Sequence, residues 1–343
     1  MILIKKYFYQ FLHFYILMNE NKKISSKEKE EKSSEELEKE EEERKIKIES
    51  LRKAGKIAQE VKKFIKPKIK QDENVYKLVE NTEKKIRDLG GECAFPVNIS
   101  INNIAAHYTS PLKDDNLVIQ AGDIVKLDLG VHIDGYIVDT AFTVSFNDDK
   151  TLENIIQSTQ VAVEAAKMMV KPDLNTQEIG KKTESIVKGF NYNPIKELGG
   201  HQIERWKVHG KKQVPELGSQ GGDKIEEGDI LAIEIFASSG RGTVHPTNAS
   251  YIYELNPYTG RVPLRRKASK QILGFINKNY KTLPFAERWL AKEFQMGVVF
   301  GLEELVRTNK LKAHYVLAEE KGIYVSQSEE TVLVSEDGCE QLT

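Results

Sequence analysis

Residues 122–146, GDIVKLDLGVHIDGYIVDTAFTVSF, leave the chain few ways to fold. Two runs of alternating apolar residues flank Asp134-Gly135, a dipeptide that favours the tight type I′ hairpin turn. With those two residues as the loop, Ile133 pairs with Tyr136, Gly130 with Asp139, and Asp128 with Ala141. One face then carries Val125, Leu127, Leu129, Val131 and Ile133 against Val138, Thr140, Phe142 and Val144, and is assigned to the core. The other face carries Asp128 and Asp139 as diagonal neighbours, roughly 7–8 Å apart at the backbone. Like charges so placed repel, and one is neutralised unless a cation lies between them. Carboxylates are hard ligands suited to divalent metals. This stretch alone leaves open a blander case, two solvated acids on the wet face of a hairpin.

At 343 residues the chain can bury a sizeable core as one large domain or two average ones. Lys and Arg number 51 against 52 Asp and Glu, so no bulk attraction to nucleic acid follows. Cys93 and Cys339 are too few for a disulfide framework, which suits a reducing cytoplasm.

Residues 1–17 are apolar and aromatic, with Lys5 and Lys6 near the start. The run is broken by Gln10 and His13, too short to span a bilayer, and lacks a small-residue cleavage site. A start at Met18 is expected instead. Residues 22–45 are almost wholly Lys, Glu and Ser, so a disordered tail or a lone solvated helix is expected, making 1–45 an N-terminal extension. The folded domain is expected over 46–343. Ile48, Leu51, Ala54, Ile57, Val61 and Phe64 recur at helical spacing up to Pro67. Further helices are predicted over 75–89, 152–170 and from Asn175, whose spacing to Glu178 is that of a capping box. Residues 92–107 read as loop and short strand. A strand over 228–236, GDILAIE and beyond, echoes GDIVKLD at 122–128 and suggests an internal repeat. Residues 260–312 are basic and helical in period (Ile272, Phe275, Ile276; Trp289, Leu290, Phe294; Leu302, Leu305, Val306), and read as a helical insertion without strands. A last strand is predicted over 323–334.

An acid in mid-strand needs a partner or a metal, because burying a lone charge is costly. Asp128, Asp139, Glu234 and Glu329 are four such acids. His201 follows Gly199-Gly200 and is expected on an exposed turn. Four carboxylates and one imidazole form the donor set of a dinuclear divalent-cation site, of the kind that activates water and polarises a carbonyl. Each residue alone is more often structural: a strand Glu facing solvent, a turn histidine.

Several stretches together carry a family resemblance: AFPVNISINNIAAHYTSP (94–111), KLDLGVHIDGYIVDTAFTV (126–144), GGHQIERWKVHGKKQVP (199–215), EEGDILAIEIFASSGRG (226–242), ILGFINKNYKTLPFAERWL (272–290) and VSQSEETVLV (325–334). In this order and spacing the chain resembles the methionine aminopeptidases of the type II class. The resemblance implies an α+β pita-bread fold, a pseudo-twofold duplicated antiparallel sheet with flanking helices and a helical insertion. It implies two divalent ions (Co, Mn, Fe or Zn) held by Asp128, Asp139, His201, Glu234 and Glu329, with Asp139 bridging. Glu234 would also shuttle protons, His107 would stand by the scissile bond, and His209 would steady the developing oxyanion. Phe95, Val208 and Phe236 would form the pocket for a methionine side chain. The implied reaction is removal of the initiator methionine before a small second residue, by metal-activated water. The implied partners are N-termini of nascent chains and, as a candidate, the ribosome; no specific nucleic acid or membrane partner is expected, and a monomer is.

The chain departs from that family around the pocket. Glu330 stands where His usually precedes Thr, and strand alternation points it away from the site. Ala313-His314-Tyr315 replaces a turn that usually supplies a pocket tyrosine, and the pocket histidine of some relatives has no counterpart near Ser250. Two other readings share the fold: a non-catalytic relative that binds ribosomes or RNA, and a proline-specific aminopeptidase. Loss of ligands marks the first, and all five are present; AAHYT at 105–109 and the insertion argue against the second.

Overall fold

The computed structural model describes residues 34–111, 116–146, 150–294 and 297–343. The apolar run 1–17, Met18 and residues 22–33 lie outside the described residues. Residues 1–49 and 50–343 form separate compact units. In the first, residues 34–45, for which a disordered tail was one expectation, are helical, and Glu36 to Ile46 are all exposed. Local pairs such as Lys45 with Glu41, 3.0 Å apart one turn away, support the helix along this exposed stretch.

The elements follow in chain order. Helix α1 (Ser34–Ile65) runs to a short 3-10 turn at Lys66–Lys68, and α2 (Val75–Asp88) follows. Then come β1 (Glu92–Cys93), β2 (Asn98–Ile101), β3 (Ile104–Ala106), β4 (Ile124–Ile133) and β5 (Tyr136–Ser145). Helices α3 (Lys150–Met169) and α4 (Thr176–Gly189) precede β6 (Asn193–Pro194), β7 (Gly199–Gln202), β8 (Gln213–Pro215), β9 (Ile230–Ser238) and β10 (His245–Leu255). Helix α5 (Lys267–Asn279), β11 (Phe285–Ala286), α6 (Glu287–Phe294) and α7 (Val298–Arg307) lead to β12 (Leu311–Ala318), β13 (Val325–Val334) and β14 (Cys339–Gln341).

The β4–β5 hairpin closes on Asp134 and Gly135, both at positive φ (50° and 82°), and pairs Ile133 with Tyr136 and Asp128 with Ala141. Trp206 lies against Gly135, where a Cβ would come within 2.3 Å of the indole. Neither face of the hairpin is wet: Val125, Leu127, Leu129 and Val131 are buried, and so are Lys126, His132 and Asp139 opposite them. The solvated-acid alternative is thereby excluded.

The repeat is longer than the two heptapeptides. Asp72 and Asp173 both sit at positive φ, and their N–H groups donate to Ile119 and Ile225. Asn74 caps α2 and Asn175 caps α4; the latter accepts from the Gln177 N–H. Gly122 and Gly228 turn at φ 89° and 84°, and the following aspartates, Asp123 and Asp229, accept from the N–H groups of Gln120 and Glu226. Strands β4 and β9 leave these equivalent turns.

Both belong to a ten-stranded sheet whose main path is β1-β4-β5-β13-β9-β7-β8. Along β9, Leu231, Ile233, Ile235 and Ala237 join Ile155, Ala162, Ala166, Ile179 and Val187 of α3 and α4 in one core. Strand alternation therefore sends Ala232, Glu234 and Phe236 to the other face. A second sheet, β11-β10-β12-β3, has no counterpart in the sequence expectations. Between β10 and β12 the periodic apolar residues do pack as helices: Ile272, Ile276, Leu290, Leu302 and Leu305 share one buried cluster. The segment is not strand-free, however. Phe285–Ala286 pairs with Tyr253 and Ile252, a two-residue strand too short to show a period.

Candidate active site

One row of cross-strand partners organises the exposed-to-cavity face of the large sheet. Asn98 pairs with Asp128, Asp128 with Ala141, Ala141 with Glu329, and Glu329 with Glu234. Directly opposed residues on antiparallel strands share a face, roughly 4.5–5.5 Å apart at Cβ. Three carboxylates thus lie in line, and Asp139 enters diagonally beside Ala141. The close approach of like charges comes from β13 inserting between β5 and β9, so that Glu329 touches both halves of the repeat.

His201 is buried on β7, 4% exposed, which corrects the expectation of an exposed turn. Gly199 and Gly200 lead into a strand paired with both β8 and β9 instead. Its Nδ1 lies 3.3 Å from the Gln202 carbonyl, to which it can donate, leaving the Nε2 lone pair 3.9 Å from Asp139. A neutral imidazole so held is the form that ligates metals.

The donors fall into two triads, Asp139–His201–Glu329 and Asp128–Glu234–Glu329, each with ligand atoms within 4.8 Å of one another. Glu329 is common to both, and Asp139 of the first triad hydrogen-bonds Asp128 of the second. Burial pushes Asp128 up to about 7, moderated by the hydrogen bonds it accepts from Gln327 and Asp139. Burial first, and then the neighbouring acids, hold Asp139, Glu234 and Glu329 well above the usual carboxylate range. Asp128 Oδ1, Asp139 Oδ1 and Glu329 Oε1 are buried without a hydrogen-bond partner. Unpaired oxygens that converge at such a cost fit a divalent cation, which supplies the missing counter-charge.

A cavity of about 480 Å³ opens onto Asp128, Asp139, His201 and Glu234 and is lined also by His107, His209, Phe95, Val208 and Phe236. All the sequence-predicted site residues therefore meet at one place, with Glu329 in the sheet floor. Phe95 rests on Gly130, where a Cβ would come within 2.3 Å of the ring; glycine there is what lets an aromatic wall stand beside Asp139. His107 sits at φ 64° beyond β3, and its Nδ1 lies 3.1 Å from the Tyr315 carbonyl. Burial, then the nearby His314, lowers it to about 4, so it is neutral near pH 7. His209 is open to the cavity and packs on His201 with ring centroids 4.4 Å apart. The surrounding protein and then His201 hold its pKa well down.

Residues 49–261 match the model of metallopeptidase family M24. The chain belongs to that family. It is 40% identical over 295 residues to the methionine aminopeptidase of Thermococcus kodakarensis, covering 85% of this chain and 97% of that protein. Identity to the methionine aminopeptidase of Methanothermobacter thermautotrophicus is 38% over 298 residues, covering 86% and 98%. Methionine aminopeptidase 2 of the fungus Verticillium alfalfae is 36% identical, covering 82% of this chain and 68% of that protein. Among solved structures, a thermophilic Arx1 superposes with TM-score 0.76 at 20% identity, covering 86% and 90%. Thermotoga maritima methionine aminopeptidase superposes with TM-score 0.63 at 20% identity, covering 87% and 96%. At such identities the structures show a shared fold alone. That fold is the duplicated α+β architecture described above, and as an M24 metallopeptidase the chain uses divalent metal.

Three site residues escaped the sequence reading. Gln327 donates to Glu234 Oε1 at 2.7 Å and also bonds Asp128, so it spaces two carboxylates; its place two residues before Glu329 on one strand face was the available signal. Asn98, in register with Asp128, lines the cavity, but only sheet pairing shows it. His314 fills cavity wall, and Glu330 faces away, bonded to Lys62 and Thr343.

Proposed function

We propose that this M24 metallopeptidase removes the initiator methionine from polypeptides whose second residue is small, using two divalent ions of the Mn, Fe, Co or Zn kind. The observation that carries the reading is the Asp128–Glu329–Glu234 row with Asp139 and His201, which places two ligand triads around one shared carboxylate. Two ions held by these residues would supply a polarised water and a Lewis acid for the scissile carbonyl.

The chain's own residues do the rest. Phe95, Val208 and Phe236 bury an unbranched apolar side chain and select methionine by its fit. With Nδ1–H given to the Tyr315 carbonyl, His107 presents Nε2 as an acceptor toward the peptide N–H of the bond to be cleaved. His209, neutral, donates to the oxygen as negative charge develops there. Glu234, oriented by Gln327, takes a proton from water and returns it to the leaving amine. The substrates are free N-termini of newly made chains, and the free thiols of Cys93 and Cys339 suit work in the cytoplasm.

The test is hydrolysis of Met-Gly and Met-Leu peptides with added Mn or Co, with a chelator control. Release of methionine from Met-Gly, abolished by chelation, is the expected result. No release from Met-Gly with metal present overturns the assignment.

A further inference from the structure

The cavity is walled by two different sheets. The large sheet supplies the carboxylates and His201; the small sheet supplies His314 and Leu317 from β12, Ile252 from β10, and His107 just beyond β3. Ile252 and His314 are register partners, so both present the same face to the cavity. His314 is 8% exposed, and its Nε2 lies 3.0 Å from Glu254 Oε2 on the neighbouring strand. That bond commits one ring nitrogen and pins the ring. Its other neighbour is His107, edge to face at 5.4 Å between ring centroids. The next residue on β12, Tyr315, gives the carbonyl that holds His107. One short strand therefore both orients His107 and stands the His314 ring at its shoulder. His209 packs on His201 as His314 does on His107, and all four rings line the one cavity together with exposed Lys312.

We propose that His314 is a specificity-determining residue that contacts the side chain of the substrate's second residue. The inference rests on the aminopeptidase reading. A substrate whose first carbonyl lies over the carboxylate row, with its scissile N–H on His107, has its second residue directed at whatever stands next to His107 on the small sheet. There the wall is His314, backed by Ile252 and held upright by Glu254. A ring tethered at Nε2 and packed edge to face on His107 is held in place, so a small second residue fits and a branched one meets imidazole. Among the described residues this position is filled by a histidine hydrogen-bonded to a carboxylate, on the segment where the resembled family usually supplies a tyrosine.

The experiment measures kcat and KM for Met-Gly, Met-Val and Met-Leu peptides on the metal-loaded full chain and on His314→Ala, His314→Tyr and Glu254→Gln. Truncating the ring is expected to raise the Met-Leu to Met-Gly ratio of kcat/KM by about tenfold or more, the worth of one mismatched side-chain contact. The rise should lie mainly in KM for Met-Leu. His314→Tyr keeps a ring in place and should leave the ratio at or below that of the wild type. Glu254→Gln leaves only a neutral, weaker tether on the ring and should raise the ratio to an intermediate value; it also decides the matter if His314→Ala does not fold. A ratio unchanged within about twofold in whichever of His314→Ala and Glu254→Gln folds and retains metal overturns the inference. Wild-type protein that releases no methionine from any of the three peptides overturns instead the aminopeptidase reading beneath it.

Discussion

Strands β4 and β9 leave the same Gly-Asp turn and carry an acid at the same place, yet they find their partners differently. Strand β4 turns back through Asp134-Gly135 and meets Asp139 on β5 within a few residues. Strand β9 is followed by the small sheet and three helices before β13 returns to lie beside it. The geometry differs accordingly. Asp128 and Asp139 are diagonal, whereas Glu234 and Glu329 are directly opposed. The first half builds its acid pair by local turn chemistry. The second builds it by long-range closure, and the chain inserted between is what supplies the wall opposite the metal ligands. Duplication made the metal cradle; interruption of one copy made room for substrate recognition.

The comparison can be broken hardest at the residue both halves share. Glu329→Gln removes one charge from both triads and leaves the side chain's size, so activity should fall on the order of a thousandfold, ~4 kcal/mol, with metal affinity falling alongside. Loss of only one bound metal equivalent, with the second retained at full affinity in a calorimetric titration, would show that the halves bind independently.

A feature private to the first half gives the next effect. His132, buried near the hairpin tip, accepts the Gly135 N–H on Nδ1, and burial lowers it to about 4. Its folded pKa lies below its unfolded value of 6.5, so the unfolded chain takes up the proton first as pH falls. The stability it contributes is complete above pH 6.5 and is lost toward pH 4, about 3 kcal/mol in all. Urea unfolding of wild type and His132→Phe should show a steeper loss in the wild type over that window. Parallel curves would remove His132 from the account.

The smallest effect sharpens the equivalence itself. Gly122→Ala and Gly228→Ala each place a side chain at positive φ, where alanine costs ~1 kcal/mol. The two midpoints should shift by the same amount, and nothing lies within 4 Å of a Cβ at Gly228 to add to it. A cost confined to one of them would mean that the turns are alike only in outline.

The hairpin register, the helix periods over 46–64 and 272–306 and the repeated Gly-Asp strands were legible in the chain because each rests on interactions between residues close in sequence. Turn chemistry and apolar period are local, so they can be read without a partner. The family resemblance pointed to the five candidate ligands for a different reason: the motifs preserve their order along the chain. Composition left residues 34–45 open between a disordered tail and a lone solvated helix, since it does not register one-turn Lys-Glu pairs such as the one between Glu41 and Lys45 in the helix found there. The tertiary structure alone decided that His201 is buried, because its burial comes from β8 and β9 closing on a four-residue strand. It alone placed Glu329 between the halves, since no local pattern specifies which strand fills a gap in a sheet. The small sheet, with His314 on it, was equally out of reach. Its strands are short or bulged, β10 and β12 slip register near Ser250, and their pairing is set by what the intervening helices bury rather than by a period of their own.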